Sequence, residues 1–264
     1  LGFPGLILLA TFAERAWLAP RSVDRTPAER VALWREHVER NPGFAMGFLR
    51  LGQTLVEVGD PDGAREAFQK ALDLSPDNVS AALGLSDVMR VEGNLAGSIE
   101  LMERFLERQP GCAECYQNIA ADRLSLGDLD GAQAAIEQVL ERRYTTFPSA
   151  SGTSFRAATT QLLAGRIHEA QGRQAEALRY YESALRADPS LGFALLRVGE
   201  MKMGSDPTQA ADLLARYRQQ RPRDPHGARL LAEALTRLGD AEGARRVLAE
   251  QRAAAAQPRH LPTP

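Results

Sequence analysis

The sequence predicts an all-α solenoid of stacked antiparallel helix hairpins, and three observations carry that prediction. Gly59, Gly93 and Gly127 recur at a spacing of 34 residues, and Gly172 and Gly239 continue the series, with a degenerate copy around Asp206. Such a period is the length of one helix–turn–helix unit, which cannot bury its apolar face alone and must stack on its neighbours. Around each glycine, small and bulky apolar residues recur at helical spacing, so each copy reads as two helices. Hydrophobic residues make up 44% of the chain, charged residues 25% and aromatics only 6%, a globular composition suited to helices packed through Ala and Leu. Stacked units share one elongated core, so the 264 residues are read as one solenoid rather than two ordinary domains.

Residues 1–25 form an apolar N-terminal segment. The first thirteen residues carry no charged side chain, a run shorter than the roughly 18–20 apolar residues that cross a bilayer. Leu6, Ile7, Leu8, Leu9 and Phe12 supply the apolar surface, and Trp17 falls where a membrane-interface anchor sits. The segment is expected to contact a membrane interface or to dock on the solenoid or a partner. A processing remnant is the third reading, and a start without methionine is read as a processed, trimmed or partial chain.

Thr26, Pro27 and Glu29 make a capping-box helix start, and Trp34 and Pro42 fit the second helix of a degenerate leading unit. Residues 45–78 are the clearest copy. Phe48, Leu51, Gly52 and Leu55 share one face of a first helix, Gly59 and Asp60 turn the chain, and Ala64, Phe68 and Ala71 face back from a second helix that Pro76 ends. Gly52 and Ala64 are small where the helices cross, and Phe68 fills the space beside them. Residues 79–112 repeat the pattern with Ala82, Leu85, Met89, Gly93, Ser98, Met102 and Pro110, and residues 113–146 with Tyr116, Ile119, Gly127, Ala132 and Ile136. The Ser/Thr/Gly/Pro-rich stretch over 145–157 then reads as an inserted loop. Further copies occupy 158–191, 192–224 and 225–258, and residues 259–264 read as a flexible, proline-rich tail.

This pattern resembles the tetratricopeptide repeat family, whose W-x-x-L-G-x-x-Y, A-x-x-x-F and Pro positions are met in the best copy with Phe48 and Leu55 as conservative replacements. The resemblance covers residues 26–258, about six units plus the degenerate leading one. It implies a right-handed α-solenoid whose first helices line a concave groove that receives an extended or helical peptide. Carried across residue by residue, the partner-binding positions are Met46, Leu49, Gln53 and Val56, then Leu83, Asp87 and Arg90, then Gln117 and Leu124, then Leu162, Arg166 and Glu169, then Leu196 and Glu200. Leu49, Gln53, Leu83, Asp87, Gln117 and Ala121 stand where chaperone-binding members carry the Lys, Arg and Asn that clamp a terminal carboxylate, so a chaperone-tail clamp is not expected. The early groove is apolar instead, and apolar surface gains about 25 cal/mol for each Å² hidden from water.

A formal net charge of −2 removes the electrostatic argument for a nucleic-acid partner. Phosphate loops, metalloprotease, hydrolase and kinase signatures are absent from the sequence, so neither an enzyme nor a small-molecule substrate is expected, nor any cofactor. His37, His168, His226 and His260 fall on different repeats without ligand spacing, and His168 and its neighbour Glu169 diverge by about 100° on a helix. Glu103 and Glu107 read as a solvated helix face. Cys112 and Cys115 form a C-x-x-C pair, read first as structural, second as a disulfide and last as half a metal site that no other ligands complete.

The sequence therefore points to a non-enzymatic scaffold that binds a protein peptide or helix. The resemblance implies a bacterial envelope-type member within a membrane-associated assembly, with the extracytoplasmic side favoured. Two alternatives stand beside it: the non-catalytic C-terminal repeats of a bacterial membrane glycosyltransferase, and a periplasmic assembly factor.

Overall fold

The structure is a computed structural model that describes residues 25–141 and 153–256. Among the described residues there are thirteen helices and no strand, an all-α solenoid fold. The chain divides into two compact units, the first ending at Leu126 and the second beginning at Gly127.

The first unit contains α1 (Pro27–Arg40), α2 (Ala45–Glu57), α3 (Pro61–Leu74), α4 (Val79–Val91), α5 (Leu95–Arg108) and α6 (Ala113–Leu126). Each helix packs on the next, and α4 also touches α2 and α6, the other two first helices of their hairpins. Thr26 starts α1 as the sequence predicts: its backbone N–H donates to Glu29 Oε2 at 2.8 Å, and the Glu29 N–H returns a bond to Thr26 Oγ1 at 3.3 Å. The second unit contains α7 (Leu129–Glu141), α8 (Thr153–Ala170), α9 (Gln174–Ala187), α10 (Gly192–Lys202), α11 (Pro207–Gln220), α12 (Pro225–Arg237) and α13 (Ala241–Ala256), again packed in sequence order from α7 to α13.

Two local devices repeat at the hairpin turns. The repeat glycines Gly59, Gly93, Gly127, Gly172 and Gly239 all adopt φ between 76° and 83°, the left-handed conformation that ends a helix and that a side chain would strain. The next residue then serves the following helix. Asp60 Oδ1 accepts from the Gly63 N–H at 3.0 Å, and Asn94 Oδ1 from the Gly97 N–H at 3.0 Å. Around Asp206 the turn lacks a left-handed glycine, α10 is only 11 residues long, and Asp206 still caps α11 by accepting from the Gln209 N–H at 2.9 Å.

The close helix crossings are visible as missing methyl groups. A Cβ at Gly52 would stand 2.7 Å from Phe68 Cε1, and one at Gly84 2.6 Å from Phe68 Cζ, so the ring fills the space left by two glycines on successive first helices. Gly165 stands to Tyr181 as Gly52 does to Phe68, with a Cβ only 2.5 Å from the ring. In the second copy the corresponding places hold Ser86 and the pliant Met102, both fully buried.

One expectation is corrected at its edge. The stretch 145–157 was expected to be loop throughout, yet α8 begins at Thr153. Arg156 and Ala157, both good helix formers, lie just ahead of the copy that begins at 158 and carry the helix back beyond it. The rest of that loop, the apolar segment with Leu6, Ile7, Leu8, Leu9, Phe12 and Trp17, and the tail all lie outside the described residues. Among the described residues, no helix is long and apolar enough to cross a membrane.

Candidate partner-binding faces

In the first unit, the residues expected to meet a partner divide by exposure. Val56 is 52% exposed, and Gln53 and Asp87 are also open. Met46, Leu83, Arg90, Gln117 and Leu124 are partly exposed. Leu49 corrects the expectation: it is 4% exposed, inside a core cluster with Val31 and Val38 of α1, Leu55 and Phe68. Its side chain lies on the part of α2 that neighbouring helices cover, so it supports the face instead of presenting it.

Behind this face runs a buried polar network that the sequence reading did not anticipate. Ser86 and Ser98 hydroxyls lie 2.8 Å apart, the Ser98 hydroxyl donates to Asp122 Oδ2 at 2.6 Å, and Asn118 Nδ2 donates to Ser86 Oγ at 3.2 Å. Arg90 Nε stands 2.6 Å from Asp122 Oδ1, while Arg90 Nη1 donates to the exposed Asp87 carboxylate at 3.3 Å. Asp122 is fully buried. Burial raises its pKa above the usual carboxylate value, against the opposing pull of Ser98 and Arg90. A signal existed: Thr54, Val88 and Asp122 occupy one repeat position, and a charge at a place otherwise filled by Thr and Val requires a partner.

The second unit presents α8, α10 and α12. Leu162 and Leu196 are partly exposed, Arg166 is exposed, and Phe193 is 44% exposed. The Arg166 guanidinium lies over the Phe193 ring, 5.8 Å from its centroid. Tyr181 meets the same ring edge-on at 6.0 Å between centroids. The carboxylates on this face are already engaged. Tyr181 Oη donates to Glu169 Oε2 at 2.6 Å, and Arg197 pairs with both Glu169 and Glu200. Burial lifts the Tyr181 phenol to about 12, with Arg166 acting weakly the other way.

His168 and Glu169 do not cooperate as an acid–base pair. The His168 ring is buried and stacks on Tyr180 with centroids 4.9 Å apart, while Glu169 faces Tyr181 and Arg197. Burial lowers the His168 pKa, and Arg173 adds to the effect. Glu103 accepts from Arg123 Nη2 at 2.6 Å at an exposed position. Cys112 and Cys115 are joined as a disulfide at the start of α6, both buried, and the Cys115 N–H donates to Cys112 Sγ at 3.2 Å. Of the readings open for this pair, the structure shows the disulfide. Among the described residues, no group of His, Cys, Asp and Glu has the arrangement of a metal site.

Comparison with known proteins agrees with this architecture. One tetratricopeptide repeat model matches residues 49–112 and 118–191, and a second matches residues 203–261. The Protein CTR9 homolog of Arabidopsis thaliana is 40% identical over 91 residues, which is 34% of this chain and 8% of that protein's length. The crystal structure of the APC/C hetero-tetramer Cut9–Hcn1 overlays with a TM-score of 0.65 at 15% identity, covering 88% of this chain and 44% of that one. PilF of Pseudomonas aeruginosa overlays with a TM-score of 0.69 at 15% identity, covering 83% of this chain and 95% of that one. Both structural likenesses concern the fold.

Proposed function

The chain belongs to the tetratricopeptide repeat family, and from that premise we propose that it is a non-enzymatic scaffold whose first-helix faces bind a peptide or helix of a partner protein. The observation that carries this reading is the pairing of open apolar side chains with polar neighbours that are already satisfied. Val56 and Phe193 are about half exposed, while Arg90, Glu169 and Glu200 are held by Asp122 and Arg197. Such a surface is preorganised: a partner gains apolar burial without first ordering the groups around it. Helices laid along it would be read through anchors at i, i+3 and i+4.

The reading extends to context. The apolar run Leu6–Leu9 with Phe12 and Trp17 supports association with a membrane interface, and hence a role in a membrane-associated assembly on the extracytoplasmic side of a bacterial envelope. A crosslinking pull-down from native membranes tests the core of the proposal, comparing the wild type with Val56→Glu/Phe193→Glu. Val56 is open to solvent and Phe193 gives up only its ring contacts with Tyr181 and Arg166, so the variant is expected to stay folded with its thermal transition lowered by a few degrees, which a thermal melt checks alongside the pull-down. Loss of the major crosslinked partner is expected. Undiminished recovery of every partner by the folded variant refutes the faces as the binding surface.

A further inference from the structure

The two faces leave different chemistry uncommitted, and this difference identifies a partner class. On the first unit's face, the cation Arg90 is neutralised by Asp122 and Asp87, and Arg50, one turn before Thr54 on α2, donates to Gln53 at 3.1 Å without lying over an aromatic ring; the open apolar part is Val56, Leu83 and Leu124. On the second unit's face the balance is reversed. From Ala157 onward, α8, α10 and α12 carry five basic side chains, Arg166, Arg197, Lys202, Arg229 and Arg237, against three acidic ones, Glu169, Glu200 and Glu233. All three carboxylates are engaged within the unit: Glu169 and Glu200 by Arg197, and Glu233 by Arg237 at 2.8 Å. Lys202 is matched by Glu182 of α9 at 2.8 Å. Among the described residues this leaves Arg166 and Arg229 exposed and outside any ion pair.

Resting on the scaffold reading, we infer that the second unit's face binds a protein segment in which side-chain carboxylates alternate with apolar residues. Arg166 is the principal contact. Its guanidinium lies over Phe193, so the ring fixes one face of the planar group while the N–H edge stays available for a two-point hydrogen bond to a carboxylate. The exposed part of Phe193, with the partly exposed Leu196 one turn further along α10, then receives the neighbouring apolar side chain. Arg229, on the next first helix, meets a second carboxylate further along the segment. A basic segment finds no open carboxylate here, because those on the face already carry an arginine. Charge complementarity therefore selects the occupant more than apolar area does.

The test uses fluorescence anisotropy on the full chain with three labelled nine-residue peptides: repeated Glu-Glu-Leu, its neutral counterpart Gln-Gln-Leu, and Lys-Lys-Leu. The acidic peptide is expected to bind at least tenfold more tightly than the neutral one, to weaken with added salt, and to lose that advantage in Arg166→Gln/Arg229→Gln. Phe193→Ala weakens the acidic and neutral peptides alike. Equal binding of acidic and neutral peptides, both sensitive to Phe193→Ala, overturns the acid preference while the scaffold reading survives. Absence of saturable binding by the acidic peptide also overturns the inference, and the pull-down with Val56→Glu/Phe193→Glu decides separately whether the scaffold reading falls with it. If phosphatidylserine vesicles bind the same arginines and the acidic peptide does not, the face reads a lipid surface and the peptide assignment is wrong.

Discussion

Gly52→Ala should reverse its effect on stability depending on what stands at position 68. In an open helix the substitution favours folding by about 1 kcal/mol, since alanine is the better helix former. Here the added methyl would sit 2.7 Å from Phe68 Cε1 and 2.8 Å from Cδ1. The ring cannot retreat, because Phe68 is 2% exposed and the Gly84 backbone closes its other side, where a Cβ would be 2.6 Å from Cζ. Overpacking of this kind costs about 1–3 kcal/mol. The net expectation is destabilisation of up to about 2 kcal/mol, or several degrees in Tm at about 2–4 °C per kcal/mol for a chain of this size. Phe68→Leu removes the opposing ring, and the last hairpin already carries Ala232 and Leu248 at the corresponding places. In that background Gly52→Ala should be neutral or stabilising by up to about 1 kcal/mol. Urea unfolding followed by helical circular dichroism on all four members of the cycle provides the measurement. The same sign and size in both backgrounds, within about 0.5 kcal/mol, would show that the ring does not dictate the glycine.

Three further outcomes follow from the buried polar groups. Asp122 has a folded-state pKa above its reference of 3.8, because burial outweighs Ser98 and Arg90 while Asp87 adds to the rise. Its contribution to stability is therefore greatest when it is protonated and falls as pH rises from 3.8 through the raised value. Asp122→Asn should gain on the wild type over that window in denaturation curves taken pH by pH, and parallel curves would contradict the assignment. His168 has the opposite sense: its folded pKa lies below 6.5, so the stability it contributes is present above 6.5 and is lost as pH falls through the lowered value. His168→Phe, which keeps the stack on Tyr180, should flatten that acid-side loss in thermal melts. Reducing Cys112–Cys115 opens a loop of only a few residues, so a thiol reductant should lower stability by about 2 kcal/mol at most. A larger fall in Tm, or loss of helicity at α6, would mean that the bridge organises more than its own turn.

The turns of this fold were legible because each rests on local chemistry. Gly59 and Asp60 are adjacent, and one ends a helix while the other caps the next. Gly52 with Phe68 was legible too, since the two recur at a fixed spacing within a hairpin and only a missing side chain admits the ring. Leu49 was misread because its repeat position says which side of α2 it occupies but not how much of that side the neighbours cover. It sits in a cluster that includes Val31 and Val38 from α1, a helix whose repeat character is the weakest in the chain. The start of α8 departs from expectation because Thr153 and Ser154 count towards a Ser/Thr-rich loop by composition, whereas the same residue types also begin helices.

The electrostatics of the faces were harder to read because their partners lie roughly one repeat apart, beyond any local motif. Arg30 pairs with Glu57 and Arg65 with Glu92, each across a separation of 27 residues. Arg197 reaches Glu169 across 28 residues and Arg218 reaches Glu250 across 32. In a stack, residues on neighbouring units meet when their numbers differ by nearly the period, corrected for which helices they occupy. Opposite charges at that offset match Arg90 to Asp122, 32 residues apart, from the sequence alone. The same rule marks Glu169 as already engaged, since Arg197 lies at the same kind of offset. Sequence offsets alone do not single out Arg166, because Glu200 lies 34 residues on and Glu137 lies 29 residues back. The structure does: Arg197 takes Glu200 and Gln133 holds Glu137, while the Arg166 guanidinium lies over the exposed Phe193 ring, and its counterion must come from outside.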